Sequence, residues 1–137
     1  MTPQSRLIEA IVNDVNAALS AEIGPVTIGQ TPPGGGVTAE VAPGFPVESH
    51  FDRGSLQILP LLFLSKGKDQ QKAVDALFAV CNFLTQKAAY PSGDGWQATG
   101  VSVATSPNYV DREQSGGAFI FAAVLNVEFY MKGVNYA

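Results

Sequence analysis

The stretch Gly117–Lys132 constrains the fold more than any other part of the chain, because its side chains alternate with the two-residue period of a β-strand. One face of this strand is apolar throughout and consists of Phe119, Phe121, Ala123, Leu125, Val127, Phe129 and Met131. The other face begins apolar and ends polar, and consists of Ile120, Ala122, Val124, Asn126, Glu128 and Tyr130. The first face is typical of a core, whereas the second matches neither a fully buried strand nor a water-facing one. We therefore expect the second face to be covered in part, by a helix of this chain or by a neighbouring subunit.

The run Ser55–Ser65 is the most apolar in the sequence and predicts a second strand, buried on both faces. Its alternating positions are Leu56, Ile58, Leu62 and Leu64 on one face, and Leu59, Leu61 and Phe63 on the other. Pro60 lies in the middle of this run and has no N–H to donate to a ladder, which indicates an edge strand or a bulge. An apolar strand at an edge invites aggregation unless another element or another chain covers it.

Two segments carry helical periodicity. Thr2 is placed to cap a first helix, which Pro3 opens and Gly24–Pro25 ends. The apolar residues of this helix are Leu7, Ile8, Ile11, Val12, Val15 and Leu19. A second helix is predicted over Lys68–Ala89, with Asp69 as an acid in its first turn. Its apolar stripe is Val74, Leu77, Phe78, Cys81 and Leu84, broadened by Val80 and Phe83, and this width suggests contact on more than one side.

Short strands and breaking residues fill the region between the helices. Val26–Ile28 and Val37–Val41 are strand candidates, and the Pro- and Gly-rich segment Thr31–Gly36 between them is interpreted as a flexible hairpin loop. Pro43–Arg53 is extended but irregular, and it predicts a hairpin with a protruding tip.

After the second helix, Trp96–Ala104 alternates as a strand whose phase changes at Gly100, which predicts a bulge there. Thr105–Gly116 is polar and is interpreted as a loop before the long last strand. Helices and strands do not alternate strictly, so the order favours an α+β fold over a Rossmann-type fold. We predict a mixed, mainly antiparallel β-sheet with two α-helices packed on one face, forming a single domain over residues 1–137.

Composition limits the classes of function. The chain is 46% hydrophobic and only 15% charged, which suits a subunit that hides part of its surface as well as a plain monomer. A net charge of −4 without clustered Lys and Arg argues against direct nucleic-acid binding. Cys81 is the only cysteine, so it can form neither an intramolecular disulfide nor a cysteine metal site. No apolar run is long enough to span a bilayer, and the amino terminus lacks a signal-peptide profile, so we expect a soluble protein made in a reducing cytosol.

Sequence patterns that could support catalysis are sparse. His50 is flanked by Ser49 and lies near Asp52, but a catalytic triad converges from separate elements and no Gly-x-Ser-x-Gly elbow is present. Gly34–Gly36 lacks the lysine and the following helix of a phosphate-binding loop. We interpret His50 as a loop histidine and the glycines as a flexible turn.

Two further candidates also favour structural roles. Asp111 and Glu113 could act as an acid–base pair or bind a hard metal ion. With Arg112 between them, a solvated loop or a salt bridge is the preferred interpretation. Trp96 could stack on a ligand, but its place at the start of a strand is more typical of packing. The residues predict no enzyme, no cofactor and no metal.

Five segments of the carboxy-terminal half carry a resemblance to a known family. They are Ala76–Leu77–Phe78, Gly95–Trp96, Ala104–Thr105–Ser106–Pro107, Gly117–Ala118–Phe119–Ile120–Phe121 and Val127–Glu128–Phe129–Tyr130. These segments, together with the helix–strands–helix–strands order, resemble the tailed-phage minor capsid and tail-terminator family. The resemblance implies a virion protein of the tail or neck, made in the host cytoplasm. Such a protein forms a ring, commonly a hexamer, that ends polymerisation of the tail tube and joins the tail to the head connector. The resemblance implies no catalytic residues in this sequence.

Contact residues are predicted in the loops and at the end of the last strand. They are Pro43, Phe45, His50, Asp52, Arg53, Tyr109, Asp111, Arg112, Glu113 and Tyr130. A ring subunit needs two different surfaces that match head to tail, and sheet surfaces are expected to form those seams while loops meet the tube protein and the connector. The alternatives are a head-completion protein, a tube subunit, or a small-ligand module. The last would use Gln97, Asn126 and Tyr130.

Overall fold

The fold was analysed in a computed structural model, which describes residues 2–29, 35–42, 49–51 and 54–132. The described helices are α1 (Pro3–Ile23) and α2 (Gln70–Thr85). The described strands are β1 (Val26–Ile28), β2 (Gly36–Val41), β3 (Ser49–Phe51), β4 (Gly54–Gly67), β5 (Ser92–Gly93), β6 (Trp96–Arg112) and β7 (Phe119–Lys132). These strands form one sheet.

The sheet has the strand order β1-β2-β4-β7-β6-β5, and β3 pairs with β4 beside this path. The β1–β2 pair is parallel and the other pairs are antiparallel. Both helices contribute to the same core cluster as the buried residues of the sheet. The predicted α+β class, with a mixed, mainly antiparallel sheet and two helices on one face, is confirmed.

Side-chain and glycine caps fix the helix ends. The Thr2 hydroxyl accepts a hydrogen bond from a first-turn N–H of α1, and Gly24 ends that helix with φ of 82°. A positive φ is open to glycine at little cost, so Gly24 can end the helix without strain. Asp69 is the N-cap of α2 and accepts the Lys72 N–H at 3.2 Å. The predicted span Lys68–Ala89 was therefore too long at both ends.

The core lies between the helices and one face of the sheet. Every second residue of β7 from Phe121 to Phe129 is at most 5% exposed, as predicted for the apolar face of that strand. The largest fully buried side chains include Phe63 of β4 and Leu77 of α2. Burying side chains of this size contributes about 1.5–3 kcal/mol each. Phe78 does not belong to the core, because its side chain is 44% exposed on α2, and its assignment to the apolar stripe was wrong.

The position of β4 corrects the interpretation of Pro60. β4 is an interior strand between β2 and β7, and its register with β7 runs through Pro60 without a bulge. The carbonyl of Pro60 accepts the Ala42 N–H at 2.9 Å, so the peptide edge of the proline faces β2. Because that edge faces away from β7, the missing N–H costs the β7 ladder nothing, and β2 ends at Val41, beside the proline. The expected edge position or bulge was wrong, and so was burial on both faces, since Leu62 and Leu64 stay partly exposed.

The pairing of β1 and β2 corrects a second expectation. Val26 pairs with Val37 and Ile28 with Ala39 in parallel, so Thr31–Gly36 does not close a hairpin between these strands. The protruding hairpin predicted over Pro43–Arg53 lies mostly outside the described residues. Its described part is β3, which pairs with the start of β4.

The strand β6 is longer than predicted. Ala98 pairs with Phe129 and Gly100 with Glu128, so one extra residue lies between them and the predicted bulge is confirmed. The strand then continues to Arg112, through three more register shifts, and the interpretation of Thr105–Gly116 as a loop was wrong for most of its length.

Candidate functional site

The sheet has one face that the described helices leave uncovered, and we call it the open face. On β4 and β7 it consists of Leu56, Ile58, Pro60, Leu62, Leu64, Ile120, Ala122, Val124, Asn126, Glu128 and Tyr130. All of these side chains are partly or largely exposed. None belongs to the core cluster or packs against it. Within residues 2–29, 35–42, 49–51 and 54–132, no helix covers this face.

The centre of the open face is apolar and continuous across the two strands. Leu62 lies opposite Val124 and Leu64 opposite Ala122 in the antiparallel register. Side chains paired in this way touch across the strands and form one surface. A contiguous apolar surface of this kind on a soluble protein marks an interaction site.

The open face is large enough for a specific interface. β7 has 14 residues. At about 3.3 Å per residue and about 4.8 Å between strands, β7, the 14 residues of β4 and the 17 residues of β6 offer a footprint of roughly 700 Å². A stable protein–protein interface covers about 800 Å² on each partner. The open face alone can therefore provide one side of such an interface.

The charges on the open face are mainly acidic. Glu40 on β2 and Glu128 on β7 are exposed, and the Thr99 hydroxyl donates to Glu128 Oε1 at 2.9 Å. Lys66, at the end of β4, is neutralised by an ion pair with Glu113. A partner that covers this face therefore contacts an apolar centre with carboxylates beside it.

A second apolar surface lies on the helix side of the sheet, where β6 runs past the helices. We call it the β6 overhang, and it consists of Val103 and Tyr109. Both side chains share a face with buried β7 residues, because Val103 pairs with Leu125 and Tyr109 with Phe121. They are nevertheless 40% and 54% exposed, respectively. The Tyr109 ring packs edge-on against Phe121, with ring centroids 5.8 Å apart.

Charged residues surround the turn that joins β6 to β7. The Arg112 guanidinium lies over the Phe119 ring, 5.0 Å from its centroid, and its Nε donates to the Gly117 carbonyl at 3.4 Å. Asp111 Oδ1 accepts the N–H of Arg112 at 2.7 Å. Arg112 therefore makes no ion pair with any described carboxylate, while its ring contact holds the side chain against the sheet.

The structure separates the predicted contact residues into two groups. Tyr109, Asp111, Arg112 and Glu113 lie together where β6 ends. Tyr130 lies towards the other end of β7, on the open face, with a side chain that is 38% exposed.

Of the remaining predicted contact residues, only one lies within the described part of the chain. His50 lies in β3 opposite Ser55, close to the end of the sheet that carries Tyr130. Pro43, Phe45, Asp52 and Arg53 fall outside the described residues. The prediction missed Val103, which looked like an ordinary strand residue because its alternation alone does not reveal that the helices stop short of it.

Clefts in the described part of the chain are open to solvent and contain few of the polar groups predicted to bind a ligand. One of about 210 Å³ lies on the open face and is lined by Ile58, Gly100, Val101, Ser102, Asn126 and Glu128. Of the polar residues proposed for a small-ligand module, only Asn126 lines it. Another, of about 330 Å³, adjoins the start of α2 and includes Lys66, Lys68 and Lys72.

Titratable and metal-ligating side chains in the described part of the chain do not form a recognisable reactive or metal-binding site. Burial raises the pKa of the Cys81 thiol, which keeps it protonated and unreactive in the folded state. Among the residues that the structure describes, no group of three or more His, Cys, Asp or Glu side chains could hold a metal ion. Likewise, neither α1 nor α2 combines the length and the apolar character needed to cross a membrane.

Comparison with known proteins gives a likeness in fold. No protein-family model matches the chain, and no curated protein matches its sequence. The fold is similar to that of a chain in a solved structure described as the virion of a native gene transfer agent (GTA) particle, with a TM-score of 0.71. The two chains are 16% identical, and the match covers 94% of this chain and 98% of the other. A likeness at this identity shows the fold, over nearly the full length of both chains.

Proposed function

We propose that this protein is a structural virion component that forms a ring, commonly of six subunits, at the head-proximal end of a tail tube. The ring ends polymerisation of the tube and joins the tail to the head connector. The observation that carries this proposal is the open face, a sheet surface with an apolar centre that the described helices leave uncovered. The shared fold with a chain of a GTA virion supports placement in a virion.

A ring imposes physical requirements that this surface meets. Head-to-tail assembly needs an interface that each copy can form with a neighbour on either side. The open face supplies one side, with roughly the area of a standard interface. The end of the sheet that carries Tyr109, Asp111 and Arg112 is exposed and offers a second, different surface for contacts within the assembly. Residues of these types, tyrosine and arginine above all, dominate the energy of many interfaces.

A small-ligand module is supported less well. Such a module needs a concave site with several convergent polar groups. The cleft on the open face brings together Asn126, Glu128 and Ser102, but it lies within the apolar surface that the assembly would cover. The proposed assembly therefore uses more of the observed surface than a ligand would.

The test combines solution size with microscopy. Gel filtration with light scattering over a wide concentration range should show a closed oligomer, or a monomer that becomes a ring on added tail tubes. Negative-stain images should then show discrete rings and capped tubes. Long stacked polymers would indicate a tube subunit instead. A protein that stays monomeric at high concentration and also fails to bind tail tubes would overturn the proposal.

A further inference from the structure

We infer that the open face of one copy is covered by the β6 overhang of the next copy, with Tyr109 as the central contact. This inference rests on the proposed ring and names the surface that closes it. It concerns two patches of the same chain, so the partner is a second copy and no other protein is required.

The register of the sheet places the two patches on opposite sides. Tyr109 pairs with Phe121, whose side chain is 5% exposed and faces the helices. Leu62 and Val124 point the other way, onto the open face. A single contact of this kind therefore leaves one copy with a free open face and the other copy with a free overhang. Such a contact is heterologous, and it produces a ring when the rotation between copies closes.

Electrostatics favour this pairing over a two-fold stack of open faces. A stack would set Glu40 and Glu128 of one copy against the same carboxylates of the other, while Lys66 is already paired with Glu113. Like charges brought together in an interface cost free energy. The overhang instead brings Arg112, an exposed cation without an ion pair among the described residues. Of the two carboxylates next to it in sequence, Asp111 accepts the backbone N–H of Arg112 and Glu113 pairs with Lys66.

Phe78, the exposed aromatic residue of α2, serves poorly as the second surface. Phe78 on α2 is 44% exposed, but the exposed positions around it on the helix are Gln71, Asp75 and Asn82. A single apolar side chain in a polar setting is normal on a protein surface. Tyr109, in contrast, is accompanied on its own face of β6 by Val103, which is 40% exposed. Phe78 is therefore a suitable control for Tyr109.

The decisive experiment mixes two variants, each with one added cysteine, and treats them with a short thiol-specific bismaleimide. The variants are Leu62→Cys, on the open face, and Val103→Cys, on the overhang, so that Tyr109 itself stays in place. The native Cys81 is buried, with 5% of its surface exposed, and is therefore shielded from the reagent. The mixture should give cross-linked dimers, and neither variant alone should. Cross-linking of Leu62→Cys by itself would show face-to-face stacking and would overturn the inference.

A second measurement covers the case of a poor cross-linking distance. Tyr109→Ser should weaken self-association by about 10-fold or more, because it removes an aromatic anchor from the interface. Phe78→Ser, the matched control, should leave self-association unchanged. Equal effects of the two variants would overturn the inference while leaving the ring itself intact. Wild-type protein that neither associates nor binds tail tubes would instead overturn the proposed function.

Discussion

In the middle of β4 and β7, the two faces of the sheet are similarly apolar, yet one face is buried and the other is partly exposed. Leu61, Phe63 and Leu125 face the helices and are fully buried. Their immediate neighbours on the chain, such as Leu62 and Val124, face the other way and remain partly exposed. The difference lies in what packs against each face, since α1 and α2 both lie on one side. Apolar residues on the helix side hold the protomer together, whereas those on the open face are available for assembly.

The largest expected effect comes from placing a charge on each face at adjacent positions. Leu125→Glu buries an unpaired carboxylate in the core and should prevent folding, because this costs several kcal/mol. Val124→Glu places the same group on the open face and should leave a folded protein that no longer self-associates. Circular dichroism and light scattering measure the two properties. If Val124→Glu also failed to fold, the distinction between the faces would not hold.

A milder comparison truncates two neighbouring leucines of β4. Leu61→Ala should lower the free energy of unfolding by about 2–5 kcal/mol, because its fully buried side chain leaves a cavity. Leu62→Ala should cost the monomer about 1 kcal/mol, because its side chain keeps contact with water. Urea denaturation at low protein concentration measures both values. Similar losses would mean that the open face is covered within the monomer.

Removing the N-cap of α2 should lower the stability of the protomer without changing its self-association. Asp69→Ala removes the side chain that accepts the Lys72 N–H, and should lower the free energy of unfolding by about 1 kcal/mol. Asp69→Asn keeps an acceptor and is the matched control. Thermal unfolding gives the stabilities, and gel filtration should show the same oligomer for both variants. A change in oligomer size would link α2 to the interface.

The smallest effect is expected at the edge of the open face. Glu113→Gln removes the charge that pairs with Lys66 and should change the free energy of unfolding by less than about 1 kcal/mol, since exposed ion pairs contribute little. Asp111 makes no ion pair among the described residues, so Asp111→Asn is the control. The difference between the two variants in urea denaturation measures the contribution of the Lys66–Glu113 pair. A loss as large as that of Leu61→Ala would show that this end of the sheet is part of the core.

Local rules were enough to predict several features of the fold. The two-residue alternation of β7 identified its core face, because each of those side chains is read directly from its position in the strand. Thr2 and Gly24 marked the ends of α1, and Gly100 marked the bulge of β6. In each case the residue type itself carries the physical reason.

Features that depend on distant parts of the chain could not be predicted in this way. Residues 105–112 of β6 pair with β7 while staying largely exposed, so the strand needs no apolar alternation there and looked like a loop. Pro60 fits an interior strand because β2 ends beside it, and its own neighbours in sequence do not show this. The alternation of β4 and β7 showed which side chains share the open face, but not that the described helices leave this face uncovered. The β6 overhang did not, since it exists because the helices stop short of Val103 and Tyr109.

The irregular outer margin of β6 has a further consequence. Pro107 and four register shifts interrupt this strand, and β5 pairs with only its first two residues in the described part of the chain. An interrupted margin of this kind is a poor template for hydrogen-bonded stacking into fibrils. Newly made copies can therefore accumulate without cross-β growth along this margin.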